Sequence, residues 1–221
     1  MRIKSIVTGP FQANTYLVWK ESEGRVIIID PGDEAELLKE EIVRENLSLG
    51  AILVTHAHLD HIGAVDELRK WSGAAVCLPE REREALGWLP ESYRFFGLPE
   101  KPIPYVDHWL TPEQTNLTDI LTPAQLGGLA IAVHATPGHS IGGVCYAMDK
   151  HWFVGDTLFC GSVGRIDLPG GDWPTLQESL RYLMHLHDDI VIHPGHGPET
   201  TIGWEKRTNP FLLEIRDQDT G

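Results

Sequence analysis

The sequence predicts an α/β (α+β) fold in which two mixed sheets pack face to face with helices outside. Three observations predict it. Groups of strand-like segments are separated by helical ones in both halves of the chain. Several short apolar stretches end at Gly-containing turns that carry His or Asp, as when strands stop at one edge of a sheet and offer their loops to a common site. Size is the third: 221 residues with 42% hydrophobic content suffice for one large domain, residues 1–221, with a substantial core.

The elements follow in order. Strands are expected at 2–7, 14–19 and 25–29. A helix is expected at 34–46, where Glu34-Ala-Glu-Leu-Leu-Lys-Glu-Glu-Ile-Val-Arg carries the charged face of an amphipathic helix. Strand 51–55, helix 62–72, strand 74–78 and a charged helix at 80–87 complete the first half. Residues 87–122 are rich in Pro, Trp and Tyr with weak periodicity. Such a segment is long for a plain connection and is expected to carry short helices or to wall a cleft. Strands at 128–134, 143–148 and 151–155 follow, then a helix at 174–186 opened by Asp172-Trp-Pro with Pro in its first turn, and a strand at 189–193. No internal repeat is visible.

The most informative run is Thr55-His-Ala-His-Leu-Asp-His61, which ends the apolar stretch Gly50-Ala-Ile-Leu-Val-Thr. It offers four metal-competent side chains, His56, His58, Asp60 and His61. In an extended chain positions 56, 58 and 60 project the same way, with His61 beside them where a helix begins. Two imidazoles so spaced can share one ion, leaving Asp60 and His61 for a second. Divalent metals need roughly four to six donors each, some of them water, so distant loops must contribute. His139 in Ala-Thr-Pro-Gly-His-Ser-Ile-Gly, Asp156 in Trp-Phe-Val-Gly-Asp-Thr-Leu-Phe and His196 in Val-Ile-His-Pro-Gly-His-Gly are the candidates. A lone loop His is more often surface or hydrogen-bonded filler than a ligand; the constellation is what points to metal.

In that constellation the chain resembles the metallo-beta-lactamase superfamily, whose His-x-His-x-Asp-His pattern and later His, Asp and His loops are matched at all seven positions. The resemblance implies an αββα sandwich. It also implies that His56, His58 and His139 bind a first metal, that Asp60, His61 and His196 bind a second, and that Asp156 bridges the two. Zinc is the expected metal, and iron and manganese suit five His and two Asp equally in kind. Ions in such sites stand about 3.5 to 4 Å apart, and a shared water loses a proton near neutral pH, so hydroxide is the nucleophile and no Ser or Cys is required. Asp60 is expected to orient that hydroxide as well as to ligate. Asp30, in Ile-Ile-Ile-Asp-Pro-Gly, stands where relatives place an Asp that supports a metal-binding His and is expected to do so here; the alternative is a turn former before Pro-Gly.

Within the superfamily the chain is most similar to short glyoxalase II-like hydrolases. The runs Gly155-Asp-Thr-Leu-Phe, Gly161-Ser-Val-Gly-Arg-Ile-Asp-Leu-Pro-Gly-Gly-Asp, Pro194-Gly-His-Gly-Pro and Glu205-Lys-Arg-Thr-Asn-Pro-Phe carry that likeness. Lactamases proper usually place Cys or Ser at the position of Asp156, and di-iron electron-transfer relatives place Glu at that of His58. The implied reaction is hydrolysis of S-(2-hydroxyacyl)glutathione to a hydroxy acid and glutathione. A thiol with pKa around 8.5 leaves without a general acid. Arg165 stands where the family has a basic glutathione-binding residue, although Asp167 replaces an aromatic; the alternative is an Arg paired with Asp167 or Asp172. The C-terminal helical domain of full-length glyoxalase II is expected to be absent.

A second chemistry shares the motif. Persulfide dioxygenases are similar in keeping the seven positions and a Gly-Arg-x-Asp element like Gly164-Arg-Ile-Asp, but use one iron held here by His56, His139 and Asp156, with positions open for oxygen. The ending Pro194-Gly-His-Gly-Pro-Glu-Thr-Thr looks more like the hydrolases. A catalytically inert binding protein would lack a ligand, and none is missing.

Composition narrows the partners. The net charge of -14, with 18 basic residues against 32 acidic, argues against nucleic acid and the nuclease branch, and otherwise reads as solubility. No apolar run is long enough to span a bilayer, and Met1-Arg-Ile-Lys-Ser-Ile lacks the apolar core of a secretory signal. A cytoplasmic monomer or small homo-oligomer acting on a small-molecule thioester is expected. Cys77, Cys145 and Cys160 are odd in number and widely spaced, which suits free thiols in a reducing compartment. Cys160 is expected either to border the site or to pack at a strand end.

Overall fold

The computed structural model describes residues 1–220. Strands β1 (Arg2–Thr8), β2 (Ala13–Trp19) and β3 (Arg25–Ile29) open the chain, followed by helix α1 (Ala35–Arg44) and β4 (Ser48–Leu53). Helices α2 (Leu59–Ile62) and α3 (Val65–Ser72) lead to β5 (Ala75–Pro79), helix α4 (Arg83–Phe95) and β6 (His108–Leu110). Then come β7 (Ala132–Ala135), β8 (Val144–Met148), β9 (His151–Gly155) and a small hairpin, β10 (Leu158–Phe159) with β11 (Ser162–Val163). Helix α5 (Trp173–Met184), β12 (Val191–Pro194), β13 (Thr200–Thr201), α6 (Ile202–Thr208) and α7 (Pro210–Thr220) complete it.

Strands β1 to β6 form one six-stranded sheet in chain order, and the second sheet runs β13-β12-β9-β8-β7. Both sheets are mixed. In the first, β1, β2 and β3 are antiparallel and β3 to β6 parallel; in the second, only β12 and β9 are parallel. Alternation of side chains along each strand sorts the apolar residues into three layers. Leu17, Val26, Ile28, Ile52 and Val76 face outward under α1, α3 and α4, against Leu38, Ile42, Leu68 and Leu86. Tyr16, Val18, Ile27, Ile29 and Leu53 face inward and meet Val133, Val144, Tyr146 and Phe153 of the second sheet. On the far side Cys145, Trp152, Val154 and Ile192 pack under α5, α6 and α7 through Leu176, Leu180, Ile202 and Ile215. This is an αββα sandwich. Because β3 is covered on both faces, it reads as the unbroken run Val26-Ile-Ile-Ile29. Each such buried Leu or Ile contributes about 1.5–3 kcal/mol.

The fold matches the sequence expectation in class, and several elements differ in extent. The helix expected at 34–46 stops at Arg44, since Asn46 adopts a φ of 56°. The one expected at 62–72 is two helices, with Gly63 and Ala64 between them. The charged helix at 80–87 is a 3-10 turn at Glu80–Glu82 that continues as α4 to Phe95, deep into the weakly periodic segment, because Leu86, Leu89 and Tyr93 recur on one buried face despite Pro90. Strand 128–134 shrinks to Ala132–Ala135, since Gly127 and Gly128 both take positive φ. The β10–β11 hairpin and helices α6 and α7 had no sequence expectation.

One consequence matters for the site. Strand β3 runs parallel to β4, β9 runs parallel to β12, and β7 shares the direction of β9 through two antiparallel steps across β8. The loops after β4, β7, β9 and β12 carry His56 to His61, His139, Asp156 and His196.

Candidate metal centre

The chain stays extended beyond β4 as far as His58 (φ −71°, ψ 149°), and α2 begins at the next residue. Alternation therefore holds for His56 and His58, whereas Asp60 projects from the helix rather than from an extended chain. His61 lies beside it in the same turn, fully buried.

All seven predicted residues converge. His56 Nε2 and His139 Nε2 lie 3.1 and 3.0 Å from His58 Nδ1. On the other side His196 Nε2 is 3.2 Å from Asp60 Oδ2, and His61 Nε2 is 3.9 Å from the same oxygen. Asp156 reaches both groups. Its Oδ1 is 3.3 Å from His61 Nε2, and its Oδ2 is 3.5 Å from both His139 Nε2 and His196 Nε2. His56, His58 and His139 form one potential ligand group and Asp60, His61 and His196 another.

The outer ring nitrogens are anchored, which orients the inner ones. His61 Nδ1 donates to Asp30 Oδ2 at 3.0 Å. Thr55 donates its hydroxyl to Asp30 Oδ2 at 2.6 Å and its amide to Oδ1 at 2.7 Å, so its oxygen accepts from His56 Nδ1 at 3.0 Å. His139 Nδ1 donates to the Arg165 carbonyl at 2.7 Å. Each anchored ring thus turns an Nε2 lone pair into the pocket. Asp30, itself buried with a φ of 49°, spends its oxygens on Thr55 and His61 and anchors one residue of each group. That geometry goes beyond a plain turn former.

Electrostatics agree with cation binding. Burial, reinforced by the neighbouring histidines, holds His56 well below the usual imidazole range and pushes His58 down to about 4. Both are neutral at pH 7 and free to donate lone pairs. Burial works to raise Asp156, but His61, His139 and His196 hold it below the usual carboxylate range. Burial likewise opposes charge on His61 and His196, and the carboxylates of Asp156 and Asp60 more than offset it. Positive charge is favoured on the Asp60 and Asp156 side of the pocket, while His56 and His58 stay neutral. His61 Nε2 and Asp156 Oδ1 face each other at 3.3 Å and are buried with no other protein group to bond, a polar pair still short of partners. Nitrogen and carboxylate donors with free lone pairs fit divalent ions.

Packing leaves no room for side chains around the carboxylate. A Cβ at Gly195 would lie 2.0 Å from Asp156 Oδ1, and one at Gly164 would lie 1.9 Å from the Asp156 carbonyl and 2.8 Å from His139 Nδ1.

Several supporting residues escaped the sequence reading. Asn14 donates to the Pro194 and Gly197 carbonyls, and Tyr16 donates to Pro194, so β2 holds the His196 loop. Glu82, completely buried, accepts from the Ala57 and Gly142 amides and ties the His56 loop to the His139 loop. No local pattern marks either role, since both depend on contacts across the fold. Glu205 and Asn209, quoted above for their resemblance, hold the β10–β11 hairpin: Glu205 accepts from the Gly161 amide and Asn209 donates to Ser162.

Arg165 is where the sequence placed it beside the pocket, yet its guanidinium is engaged. Nε and Nη2 each meet a carboxylate oxygen of Asp167 at 2.6 Å. Asp172 instead caps α5 through the Thr175 amide. Cys77 and Cys145 are buried free thiols and Cys160 is exposed, not packed at a strand end. Among the described residues no helix is long and apolar enough to cross a membrane.

An αββα sandwich that gathers two His/Asp donor groups around one shared carboxylate defines a metal-dependent protein class. A sequence model of the Metallo-beta-lactamase superfamily matches residues 8–196, and the chain belongs to that superfamily as a metallo-hydrolase. It is 40% identical to hydroxyacylglutathione hydrolase GloC of Haemophilus influenzae over 216 residues, covering 96% of this chain and 98% of that one. A probable metallo-hydrolase of Bacillus subtilis, YqgX, is 35% identical, covering 96% of this chain and 98% of its own. Among solved structures, the BLEG-1 B3 metallo-beta-lactamase superposes with a TM-score of 0.86 at 40% identity, covering 96% of this chain and 99% of that one. TTHA1623, solved in a di-iron-bound form, gives 0.82 at 39% identity, covering 95% and 100%.

Proposed function

We propose that the protein hydrolyses a thioester, S-(2-hydroxyacyl)glutathione, to a hydroxy acid and glutathione. The observation that carries this reading is the Asp156 carboxylate, buried within 3.5 Å of histidines from both donor groups, in a chain 40% identical to a hydroxyacylglutathione hydrolase. In this reading His56, His58 and His139 hold one divalent ion, Asp60, His61 and His196 hold a second, and Asp156 is common to both; zinc is the metal expected. Bound ions of this kind supply a deprotonated water near neutral pH and a Lewis acid for the carbonyl oxygen.

The chain's own groups do the rest. Asp60, its carboxylate partly exposed, accepts a hydrogen bond from the attacking water and orients it toward the carbonyl carbon. Asp30, Thr55 and the Arg165 carbonyl keep three imidazoles in the tautomer that leaves Nε2 free. Oxygen adds to the carbonyl, the C–S bond breaks, and its electron pair leaves with sulfur. A thiolate whose acid has a pKa near 8.5 departs without a protein acid. Arg165 takes the glutathione carboxylate in place of Asp167, a bidentate partner that is more than half exposed and so open to exchange with a competing carboxylate. The proposed setting is the cytoplasm, with a small-molecule substrate and no nucleic acid or membrane partner.

The test joins three measurements on one preparation: elemental analysis, thioester cleavage and oxygen uptake. Close to two metal ions per chain with thioester turnover and no oxygen uptake is the expected result. A firm single iron, oxygen uptake with a glutathione persulfide, and silent His61 and His196 substitutions would replace the hydrolase with the dioxygenase reading.

A further inference from the structure

A cleft of about 230 Å³ opens beside Asp60, between the β1–β2 turn and the segment that follows α4. Phe11, Leu59, Tyr93, Leu98 and Pro99 wall it. Phe11 is braced edge-on by Phe96, with ring centroids 5.0 Å apart. Lys101 and Asp33 also line the cleft and pair with each other, both side chains only about a third exposed where Arg165 and Asp167 are more than half exposed, so this cation is less free to change partner. The Thr8 hydroxyl is occupied by Ala13 and Thr15. The walls are therefore mainly apolar, and Asp60, a proposed metal ligand, is among the residues that line them. Arg165, by contrast, touches the His139 end of the pocket through its carbonyl.

These two flanks suit different arms of a substrate. Glutathione carries two carboxylates and an ammonium, which apolar walls cannot replace water around. An acyl group has no such requirement. An apolar cavity of about 150 Å³ accommodates benzene, so this cleft has room for a phenyl ring with a short linker, or for a medium alkyl chain. A lactoyl group would leave most of it empty. Resting on the thioester reading above, we infer that the cleft receives the acyl arm and that the enzyme selects thioesters bearing a large apolar 2-hydroxyacyl group over short ones.

The test compares kcat/KM of the metal-loaded protein for mandeloylglutathione and lactoylglutathione. The expected ratio favours the aryl substrate by roughly tenfold or more, the scale of filling an apolar pocket. Leu98→Trp, which fills the cleft, should collapse that ratio toward one, and Phe11→Ala, which removes a wall, should lower it. A parent ratio at or below one, or a ratio unmoved by both variants, overturns the inference. Aryl selectivity that appears instead when the ring is placed on the thiol, in the lactoyl thioester of benzyl mercaptan, assigns the cleft to the other arm and also overturns it. Failure of the thioester reading is separable through an uncharged probe, 3-phenylpropanamide, titrated calorimetrically into the same protein. Binding that weakens about tenfold in Leu98→Trp, without any thioester turnover, removes the hydrolase reading and keeps the cleft as an apolar-group site. Binding indifferent to that change removes the cleft.

Discussion

His61 and Arg165 stand at opposite extremes of the same site. His61 is fully buried, one ring nitrogen fixed by Asp30 and the other turned toward Asp156 and Asp60. The Arg165 side chain is 56% exposed, and its guanidinium answers to a single carboxylate that is 65% exposed. Around His61 every neighbour constrains every other: Thr55, Asp30 and the glycines at 164 and 195 leave one arrangement of donors. The pocket that would do the chemistry is thus preorganised, and the surface that would choose the substrate is exchangeable. Perturbations should be large and catalytic in the first region, modest and selective in the second.

The largest effect belongs to Asp156→Ala. It removes the one carboxylate shared by both donor groups, so turnover should fall by at least about 10²–10³-fold while KM moves far less, with metal content dropping below two per chain. Turnover equal to the parent would contradict the shared role. Asp30→Asn probes the layer behind. An amide offers one acceptor and two donors where three donors from Thr55 and His61 converge, so metal affinity or activity should drop by about 10–100-fold. Competition with a chromophoric chelator reads this directly, and parent-like affinity would show that the tautomers are held by something else.

The same contrast explains what was legible in the sequence. The seven donors could be read because their residue types are rare in such spacing, and because strand ends, glycines and turns bracket each of them. The sandwich could be read in outline, since alternation and amphipathic periodicity are local. Glu82 could not be read: in Pro79-Glu-Arg-Glu-Arg-Glu it is one charge among many, and only the meeting of two distant loops makes it buried. Tyr93 was hidden for a related reason, since Pro90 and sparse apolar residues mask a helix stabilised by tertiary packing. Arg165 was legible as a cation, and its partner was one of two named, yet choosing Asp167 over Asp172 required knowing that Asp172 caps α5.

Strand β12, which delivers His196, tests how far the preorganised region extends. His193 is 2% exposed, stacked on Phe153 and 2.9 Å from His151. Burial and then His151 push its pKa down to about 3; Glu199 approaches at 3.0 Å but is half exposed and screened by water. The folded state therefore refuses a proton that the unfolded state accepts below its ordinary value near 6.5. Stability from this group is complete above about pH 6.5 and is lost as pH falls toward 3. His193→Gln should accordingly lose about 2 kcal/mol less than the parent between pH 6.5 and 5 in urea unfolding. Parallel pH profiles for the two proteins would mean that His193 is free to protonate in place.

The smallest expected effect, and the most selective, is at Arg165. If its guanidinium trades Asp167 for a glutathione carboxylate, then Arg165→Ala should lower kcat/KM for glutathione thioesters by roughly tenfold, the scale of one charge-assisted hydrogen bond. A short thioester without the peptide should be cleaved almost as well as by the parent. The competing account makes Arg165 a structural residue whose carbonyl, not its side chain, matters to His139. Asp167→Asn separates the two. It releases the guanidinium and removes a negative charge beside it, so KM for glutathione thioesters should fall if the side chain binds substrate. Under the structural account the same variant lowers Tm and leaves KM alone. Because the backbone hydrogen bond from His139 survives both substitutions, metal content should stay at the parent level in each. A loss of metal in Arg165→Ala would show that the loop's fold, and not its charge, depends on the Arg165–Asp167 pair, and the exchangeable region would then be less separate from the pocket than its exposure suggests.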